Sequence, residues 1–518
     1  MRDGFLTDGR EGFLWSIKWV ALVFAVNLAL IGGDLRKGKS SITDVDDALR
    51  AWQIRALFSG HSSWFDRVLP GIAMPEPYVS PWSRLIDLPY LVLGRGFSFW
   101  LAPNDALSLA FVLWPLVLGG VFSWLVARIG LRLFSGQHVS WPLMSACFIT
   151  IPIFGSVGVF EFTPMRIDHH NVQIIAMLGL LYGLLRWDGR GGLWIGVSSG
   201  VSLLVGLECL PLVIVAYSGL IIADMIGASG SRQMIIRAIV PLAITSIFGG
   251  LFFVGPSELL ATACDSFSAP YWIAVLGGTA TVLGGLWCTR HTACWWRKLL
   301  VYCFMGMGLL VALALAFPSC LAGPYAMVDP LSRTLWLNPI QQENSSLYFY
   351  RYGQYRPVAI EALWFMMAVA ALPFVVRHWR SRPGSAIAFA VAVCALILGL
   401  LLIRYIRFGS VMMSAFLPVA LLTFLSGSSR AKKAAGTAML LVALGFALPI
   451  VVVPSRAMVY NAADTLRYEQ CQIEDSPRSV AFRWARSSYR RVSLCHFCLQ
   501  HPMDFPFLQF PFIAQHRG

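Results

Sequence analysis

Long apolar segments repeat along most of the sequence, and they restrict its fold more than any other feature. Apolar runs of about 17–25 residues are long enough to cross the hydrocarbon core of a bilayer as helices. Hydrophobic residues make up 57% of the 518 residues and charged residues only 13%, too few for a water-exposed surface of this size. The sequence therefore predicts an all-α polytopic membrane protein and excludes a soluble globular one. Thirteen runs lie near residues 14–33, 104–128, 140–160, 171–187, 192–208, 210–227, 234–255, 271–288, 298–317, 358–376, 385–403, 409–426 and 435–454.

The positions of arginine and lysine predict the orientation of the thirteen helices. With the N-terminus in the cytoplasm, every cytoplasmic loop carries basic residues, as the positive-inside rule expects. The formal net charge of +14 does not indicate nucleic-acid binding, because the basic residues are spread over short loops. The outer face receives two long loops, 34–103 and 318–357. We interpret the stretch 86–103 as an interfacial or re-entrant segment, since counting it as a span would reverse this orientation.

This orientation divides the chain into a membrane domain, residues 1–454, and a short C-terminal tail on the outer face, residues 455–518. It also places Cys264 and Cys320 in outer loops, just beyond helix ends. An oxidising compartment on that side would allow the two thiols to pair. We therefore expect a disulfide between them.

Asp168, His169 and His170 follow one another where an apolar run meets an outer loop. Ionisable side chains at such a position are costly to bury and usually mark a functional site. A carboxylate beside imidazoles suits a divalent cation such as Mn²⁺ or Mg²⁺, with the histidines as ligands or proton carriers. Two other interpretations stay open. The three residues could form a polar cluster satisfied by lipid headgroups and water. Alternatively, Asp168 and His169 could form the proton or ion relay of a transporter together with Glu208, which is otherwise expected to be structural.

Further acidic residues lie in the two long outer loops. Asp44, Asp46 and Asp47 precede an amphipathic helix near residues 48–58. One acid is enough to cap that helix and to complement its dipole, whereas three indicate a cation site or a proton-transfer role. Glu343 lies in a polar stretch, where an exposed glutamate is ordinary. All these acids share the outer face with Asp168, as a common site requires.

Two arginines, Arg404 and Arg407, follow the eleventh apolar run on the outer face. Their long side chains could extend to the membrane interface without any further role. A guanidinium at this depth is also the natural partner of a phosphate or pyrophosphate, because its parallel N–H groups match the anion's oxygens. The sequence alone leaves both interpretations open.

The combination of these motifs resembles the catalytic membrane subunit of oligosaccharyltransferases, within the glycosyltransferase-C (GT-C) superfamily. The motifs that carry this resemblance are an Asp-rich first outer loop, an Asp-His-His at a later outer helix end, and a Glu in the loop after the ninth span. The thirteen-span count and the two long outer loops are similar as well, so the resemblance covers about residues 14–454. It implies a catalytic divalent metal, Mn²⁺ or Mg²⁺, and a polyprenyl-phosphate-linked sugar as donor.

The resemblance also implies roles for individual residues. Asp46 (or Asp44 or Asp47), Asp168 and Glu343 correspond to the acids around the metal, with His169 and His170 beside them. Arg404 or Arg407 corresponds to the arginine that holds the donor phosphates. We expect the catalytic residues to be Asp46, Asp47, Asp168 and Glu343, and the metal ligands to be Asp46, Asp168, His169, His170 and Glu343.

One departure from the oligosaccharyltransferase pattern concerns the acceptor. The Trp-Trp-Asp-Tyr-Gly motif that reads an acceptor asparagine is missing, because the pair Trp295-Trp296 is followed by Arg297. The large domain after the last span is missing too. We therefore expect a bacterial inner-membrane enzyme that moves a hexosyl or pentosyl unit to a lipid, a polysaccharide or another acceptor at the periplasmic face. A polysaccharide polymerase or ligase, or a flippase of lipid-linked sugars, are the alternatives.

Overall fold

The computed structural model describes residues 10–35, 45–68, 79–135, 141–326, 328 and 343–425. Within these ranges there is no β-strand, only an isolated bridge between Val68 and Val79. The all-α fold class is therefore confirmed for this part of the chain. Asp44, the expected thirteenth span at 435–454 and the tail 455–518 lie outside the described residues.

The described residues form eighteen α-helices, joined by turns and short loops. In chain order they are α1 (Arg10–Leu35), α2 (Val45–Phe58), α3 (Asp87–Phe97), α4 (Pro103–Phe134), α5 (Trp141–Phe154), α6 (Ser156–Val159), α7 (His170–Arg186), α8 (Gly189–Val205), α9 (Leu210–Met225), α10 (Ser231–Gly249), α11 (Pro256–Leu260), α12 (Ala269–Cys288), α13 (Trp295–Ala316), α14 (Ser346–Arg351), α15 (Arg356–His378), α16 (Pro383–Leu401), α17 (Ile406–Ser414) and α18 (Leu417–Leu425).

Seven of these helices are long and apolar enough to cross a membrane: α1, α4, α12, α13, α15, α16, and α10 together with the π-helical turn Gly250–Val254 that continues it. An eighth span results if α5 and α6, which meet at a bend of 67°, are counted as one. Helices α7, α8 and α9, of 17, 17 and 16 residues, follow one another where we predict further spans. The protein is a multi-pass membrane protein, and the count of about 13 spans stays a prediction.

The first outer loop folds into α2 and α3, which pack against the beginning of α4. Ile54 of α2 and Tyr90 of α3 are buried in one apolar cluster with Phe111 of α4. Helix α3 has 11 residues, a length of about 16 Å at the helical rise, and is too short to cross a bilayer. Its length agrees with the interpretation of 86–103 as a segment that does not span.

Helices α8 and α10 pack with their backbones in close approach. Gly192, Gly196 and Gly200 recur at every fourth position of α8. A Cβ atom added at Gly196 would lie only 2.2 Å from the carbonyl oxygen of Ala238 in α10. Small residues at this spacing let membrane helices approach closely enough for extensive van der Waals contact. The packing fixes the turn between α8 and α9, which carries Glu208.

Contacts between loops show which of them share an end of the bundle. At one end, Arg382 donates to the carbonyl of Ser135 at 2.6 Å, and Arg232 donates to the carboxyl end of α12 at 3.3 Å. These loops are among those predicted to be cytoplasmic. At the opposite end, which we call the site end because it carries α2 and α3, a disulfide joins Cys264 and Cys320. This disulfide confirms the predicted pairing.

Candidate active site

The Asp168-His169-His170 segment lies in the turn between α6 and α7 at the site end. All three side chains are buried, and His170 is the first residue of α7. The turn is held from the first outer loop, because the carboxylate of Asp47 accepts hydrogen bonds from the backbone N–H groups of Ile167 and Asp168, both at 2.9 Å. Asp47 of the first outer loop and the Asp-His-His segment therefore meet, although Asp47 and Asp168 are 121 residues apart.

The Asp168 carboxylate contacts both imidazoles. Its Oδ1 atom lies 2.5 Å from His169 Nδ1, and its Oδ2 atom lies 3.2 Å from His170 Nε2. One ligand atom from each residue can be chosen so that all three lie within 4.8 Å of one another. Such a group of one carboxylate and two imidazoles can hold a divalent cation.

Electrostatic attraction between Asp168 and the two histidines determines the protonation states of this segment. Burial disfavours the ionised form of Asp168, but the neighbouring His169 and His170 outweigh it and hold the pKa of the carboxyl well below its usual range. Burial likewise opposes protonation of His169, and the attraction of Asp168 outweighs it, which raises the pKa of His169 to about 9. Without a cation, the segment is therefore an ion pair.

Glu208 and Arg404 extend the group on one side. In the α8–α9 turn, Glu208 has Oε2 at 3.2 Å from His170 Nδ1 and Oε1 at 3.8 Å from His169 Nε2. The same carboxylate accepts from Arg404 Nη2, and Arg404 Nη1 donates to Glu343. Glu343 is therefore linked to the histidines indirectly, through Arg404 and Glu208.

A second set of ion pairs extends the group on the other side. Arg166 donates to Asp47 at 2.5 Å and to Glu161 at 2.6 Å, and Glu161 lies 3.2 Å from Arg407 Nη1. Asp47 is fully buried and accepts from Arg166 and from two backbone N–H groups of the 166–168 turn, which favours a role in positioning that turn. Its predicted catalytic role stays a prediction.

These contacts form one connected set, which we call the site network. Its five carboxylates outnumber its three guanidinium groups, and an acidic excess of this kind suits a cation. This balance and the buried ligand atoms fit a divalent metal ion. The members are Asp47, Glu161, Arg166, Asp168, His169, His170, Glu208, Glu343, Arg404 and Arg407.

Asp46 precedes Asp47 in the first turn of α2 and is partly exposed. The structure thus brings it to the edge of the network, and its metal-binding and catalytic roles stay predictions, like those of Glu343, Arg404 and Arg407. Sequence reasoning missed Glu161 and Arg166 and assigned Glu208 a structural place. All three are ionisable residues at helix ends, a signal that could have identified them.

Arg50 and Trp82 form a wall of the site from the first outer loop. The guanidinium of Arg50 lies 4.5 Å from the centre of the Trp82 ring, and that ring lies 5.9 Å from the ring of His169. Arg50 is buried and pairs with Asp87 at 3.4 Å, while Arg84 pairs with the same carboxylate at 3.0 Å. This cluster joins α2 to α3 behind the metal-binding candidates.

The fold is shared with solved structures of an archaeal oligosaccharyltransferase. AglB from Archaeoglobus fulgidus, in complex with an inhibitory peptide and a dolichol-phosphate, matches with a TM-score of 0.63 and 12% identity over 92% of this chain and 60% of that chain. An A. fulgidus oligosaccharyltransferase in the apo form gives 0.59 and 12% over 91% and 59%. Its complex with Zn and sulfate gives 0.56 and 12% over 88% and 55%.

No family model matches the sequence, and no curated protein matches it. The likeness to the archaeal enzyme nevertheless confirms the predicted resemblance at the level of the fold. The chain spans about 60% of the length of that enzyme. The shared fold does not by itself establish a reaction.

Proposed function

We propose that the protein is a GT-C-type glycosyltransferase that moves a sugar from a polyprenyl-phosphate-linked donor to a lipid, a polysaccharide or another acceptor at the periplasmic face of a bacterial inner membrane. One observation carries this proposal. The carboxylate of Glu208 contacts both the buried Asp-His-His segment and Arg404. A group suited to a cation and a group suited to a phosphate therefore adjoin at the loop-rich end of a helical bundle.

The metal would be held by Asp168 and by His169 or His170, with Asp46 and Glu343 as the further expected ligands. When bound, Mn²⁺ or Mg²⁺ would screen the negative charge that develops on the leaving phosphate. The A. fulgidus enzyme has been solved with Zn and sulfate. This agrees with a divalent ion and an oxyanion in the same fold, and leaves the choice of metal to experiment.

The donor phosphate is assigned to Arg404 and Arg407. Both arginines lie in or beside the turn Ile403–Tyr405, between α16 and α17, where a lipid in the bilayer can present its headgroup. Charge-assisted hydrogen bonds from a guanidinium stabilise the phosphate as the bond to the sugar breaks. The A. fulgidus enzyme has been solved with a dolichol-phosphate, which supports a lipid-linked donor for this fold.

The acceptor hydroxyl forms the new bond to the anomeric carbon while the bond from that carbon to the phosphate oxygen breaks. We assign the acceptor's proton to Asp46, because it is partly exposed and adjoins the network, whereas Asp47 is committed to three donors. The leaving lipid phosphate keeps the electron pair of the broken bond.

The test uses the full chain purified in detergent, a polyprenyl-phosphate-linked sugar, and Mn²⁺, Mg²⁺ or EDTA. We expect metal-dependent release of polyprenyl phosphate, reduced by more than about a hundredfold in Asp168→Asn, because even indirect loss of a ligand's support costs 10–100-fold. The matched control is Asp188→Asn, since Asp188 caps α8 at the other end of the bundle.

Other outcomes would favour the alternatives. Turnover that needs no metal and survives Asp168→Asn would replace the proposal with a polymerase- or ligase-type enzyme. Transfer of an intact lipid-linked sugar across vesicles, without bond cleavage, would replace it with a flippase. Asp168 and Glu208, the acids that an ion relay would use, lie in turns between helices rather than within helices, which argues against that last alternative.

A further inference from the structure

Glu361 is a buried acidic residue inside a membrane-spanning helix. It lies in α15, within the apolar stretch Pro357–His378 that is long enough to cross a bilayer, and only 1% of it is exposed. Neither oxygen of its carboxyl group has a hydrogen-bond partner among the described residues. A buried carboxylate without a partner is costly, and an ionisable residue within a membrane helix usually marks a functional site. Glu361 therefore needs a cation or a proton beside it.

Two neutral oxygen groups from neighbouring helices lie beside this carboxyl group. Gly399 of α16 packs directly against it, since a Cβ atom added at Gly399 would lie 3.0 Å from Glu361 Oε1. The backbone N–H of Ile403, four residues further on, donates to the carbonyl of Asn344 at 2.9 Å and so ends the helical hydrogen bonding of α16. The carbonyl of Gly399 accepts instead from the hydroxyl of Ser346 in α14, at 3.3 Å, and this hydroxyl lies near Glu361.

The chemistry of these three groups suits a small monovalent cation. A carboxylate, a hydroxyl and a backbone carbonyl are all oxygen ligands, which hard cations prefer. Gly399 lies in the last turn of α16, where the helix dipole adds negative potential. Carbonyl groups at the ends of interrupted membrane helices bind Na⁺ in this way in transporters. One carboxylate balances one positive charge, and its burial between packed helices favours a small ion.

We infer that the carboxylate of Glu361, the hydroxyl of Ser346 and the carbonyl of Gly399 bind one Na⁺ ion between α14, α15 and α16. None of these residues belongs to the site network, so the sodium site does not depend on the proposed reaction. The ion holds α14 and α15 against the end of α16. This end leads directly into the turn Ile403–Tyr405, so the ion also stabilises the helix from which that turn starts.

The first test measures the thermal unfolding midpoint of the full chain in detergent, in sodium chloride and in choline chloride at equal ionic strength. The wild-type midpoint should rise with Na⁺ and then saturate, because an ion that binds only the folded state stabilises it. Glu361→Gln keeps the size of the side chain and removes its charge, so its midpoint should not respond to Na⁺. The matched control is Glu258→Gln, which should respond like the wild type, because Glu258 pairs with Arg67 elsewhere at the site end.

A second measurement distinguishes a bound Na⁺ ion from a bound proton. The apolar reagent dicyclohexylcarbodiimide reacts with a protonated carboxyl group, whose oxygen bonds to the central carbon of the reagent while the proton moves to a nitrogen. A cavity of about 480 Å³ gives the reagent a path, since Ala362 and Leu400, the residues after Glu361 and Gly399, line it. Mass spectrometry should find Glu361 labelled in choline chloride, and Na⁺ should slow the labelling by about tenfold or more, because ion and proton compete for one carboxylate.

Three results would overturn the sodium site. A wild-type midpoint that is equal in the two salts would show that no Na⁺ ion binds the folded protein. Labelling of Glu361 that Na⁺ does not slow would show that the carboxyl group holds a proton instead. A response to Na⁺ that persists in Glu361→Gln would place the ion elsewhere. If Glu361→Gln does not fold, Ser346→Ala replaces it, and we expect this variant to need about tenfold more Na⁺ for half of the rise in midpoint; an unchanged requirement would also overturn the site.

Discussion

Removing the carboxylate of Asp47 tests how the site is held in place. Asp47 lies on α2, yet it accepts from Arg166 and from the backbone N–H groups of Ile167 and Asp168. Asp47→Ala leaves all three donors without this acceptor. Asp47→Asn keeps one oxygen for the two backbone groups and loses the charge that faces Arg166.

The size of the effect follows from these contacts. Each buried backbone N–H group left unsatisfied costs about 1–3 kcal/mol, and a hydrogen bond to a charged group contributes about 1.5–3 kcal/mol. Arg166 keeps Glu161 as a partner, so its charge is not left alone. We therefore expect Asp47→Ala to destabilise the protein by about 3.5–9 kcal/mol and Asp47→Asn by about 1.5–3 kcal/mol.

The assay pairs a thermal unfolding midpoint with Mn²⁺ affinity from electron paramagnetic resonance. Positioning groups behind metal ligands are worth about 10–100-fold in affinity, and we expect Asp47→Ala at the upper end of this range. Asp66→Asn is the control, because Asp66 caps Val68 with one exposed hydrogen bond in the same outer loop. Wild-type midpoint and Mn²⁺ affinity in Asp47→Ala would refute the positioning role.

Two further predictions concern the scaffold. Gly196→Val should push α8 away from α10 and lower the unfolding midpoint, because a Cβ atom at Gly196 would lie 2.2 Å from a backbone oxygen. Gly120→Ala should leave the midpoint unchanged, because a Cβ atom there meets nothing within 4 Å. Equal midpoints for the two variants would contradict the close packing. Reduction of the Cys264–Cys320 disulfide, or Cys320→Ser, should lower the free energy of unfolding by up to about 4 kcal/mol, the value for a closed loop of 56 residues. The loss is smaller if α12 and α13 stay inserted in the membrane when the protein unfolds. An unchanged unfolding midpoint would show that the bond adds no constraint.

Much of the fold was predictable, because apolar length and charge asymmetry are local properties of a sequence. The bends were harder. The run 140–160 reads as one span, yet it breaks between α5 and α6, where Pro152 and Gly155 weaken the helix. The run 409–426 divides into α17 and α18 instead, with Pro418 in the first turn of the second helix.

The residue types of the site and the membrane face on which they lie were predictable, but the pairing of its charged residues was not. Asp168, Glu343 and Arg404 could be picked out because buried charge near a membrane is costly. That Arg404 would join Glu343 to Glu208 depends on three turns that are remote in sequence. Pairings of this kind depend on helix packing, such as the glycine contact of α8 with α10, which a hydropathy pattern does not encode.

The site network has a consequence for how the chain is assembled in the membrane. Four of its ion pairs join parts of the chain that are remote in sequence, and these pairs form only when both parts have inserted with their partner groups at the same face. A hairpin inserted backwards leaves its partners buried without a counter-charge, at a cost of several kcal/mol for each broken pair. The residues to which we assign chemistry should therefore also favour the correct topology during membrane insertion, since their long-range ion pairs form only when all the helices have inserted in the right orientation.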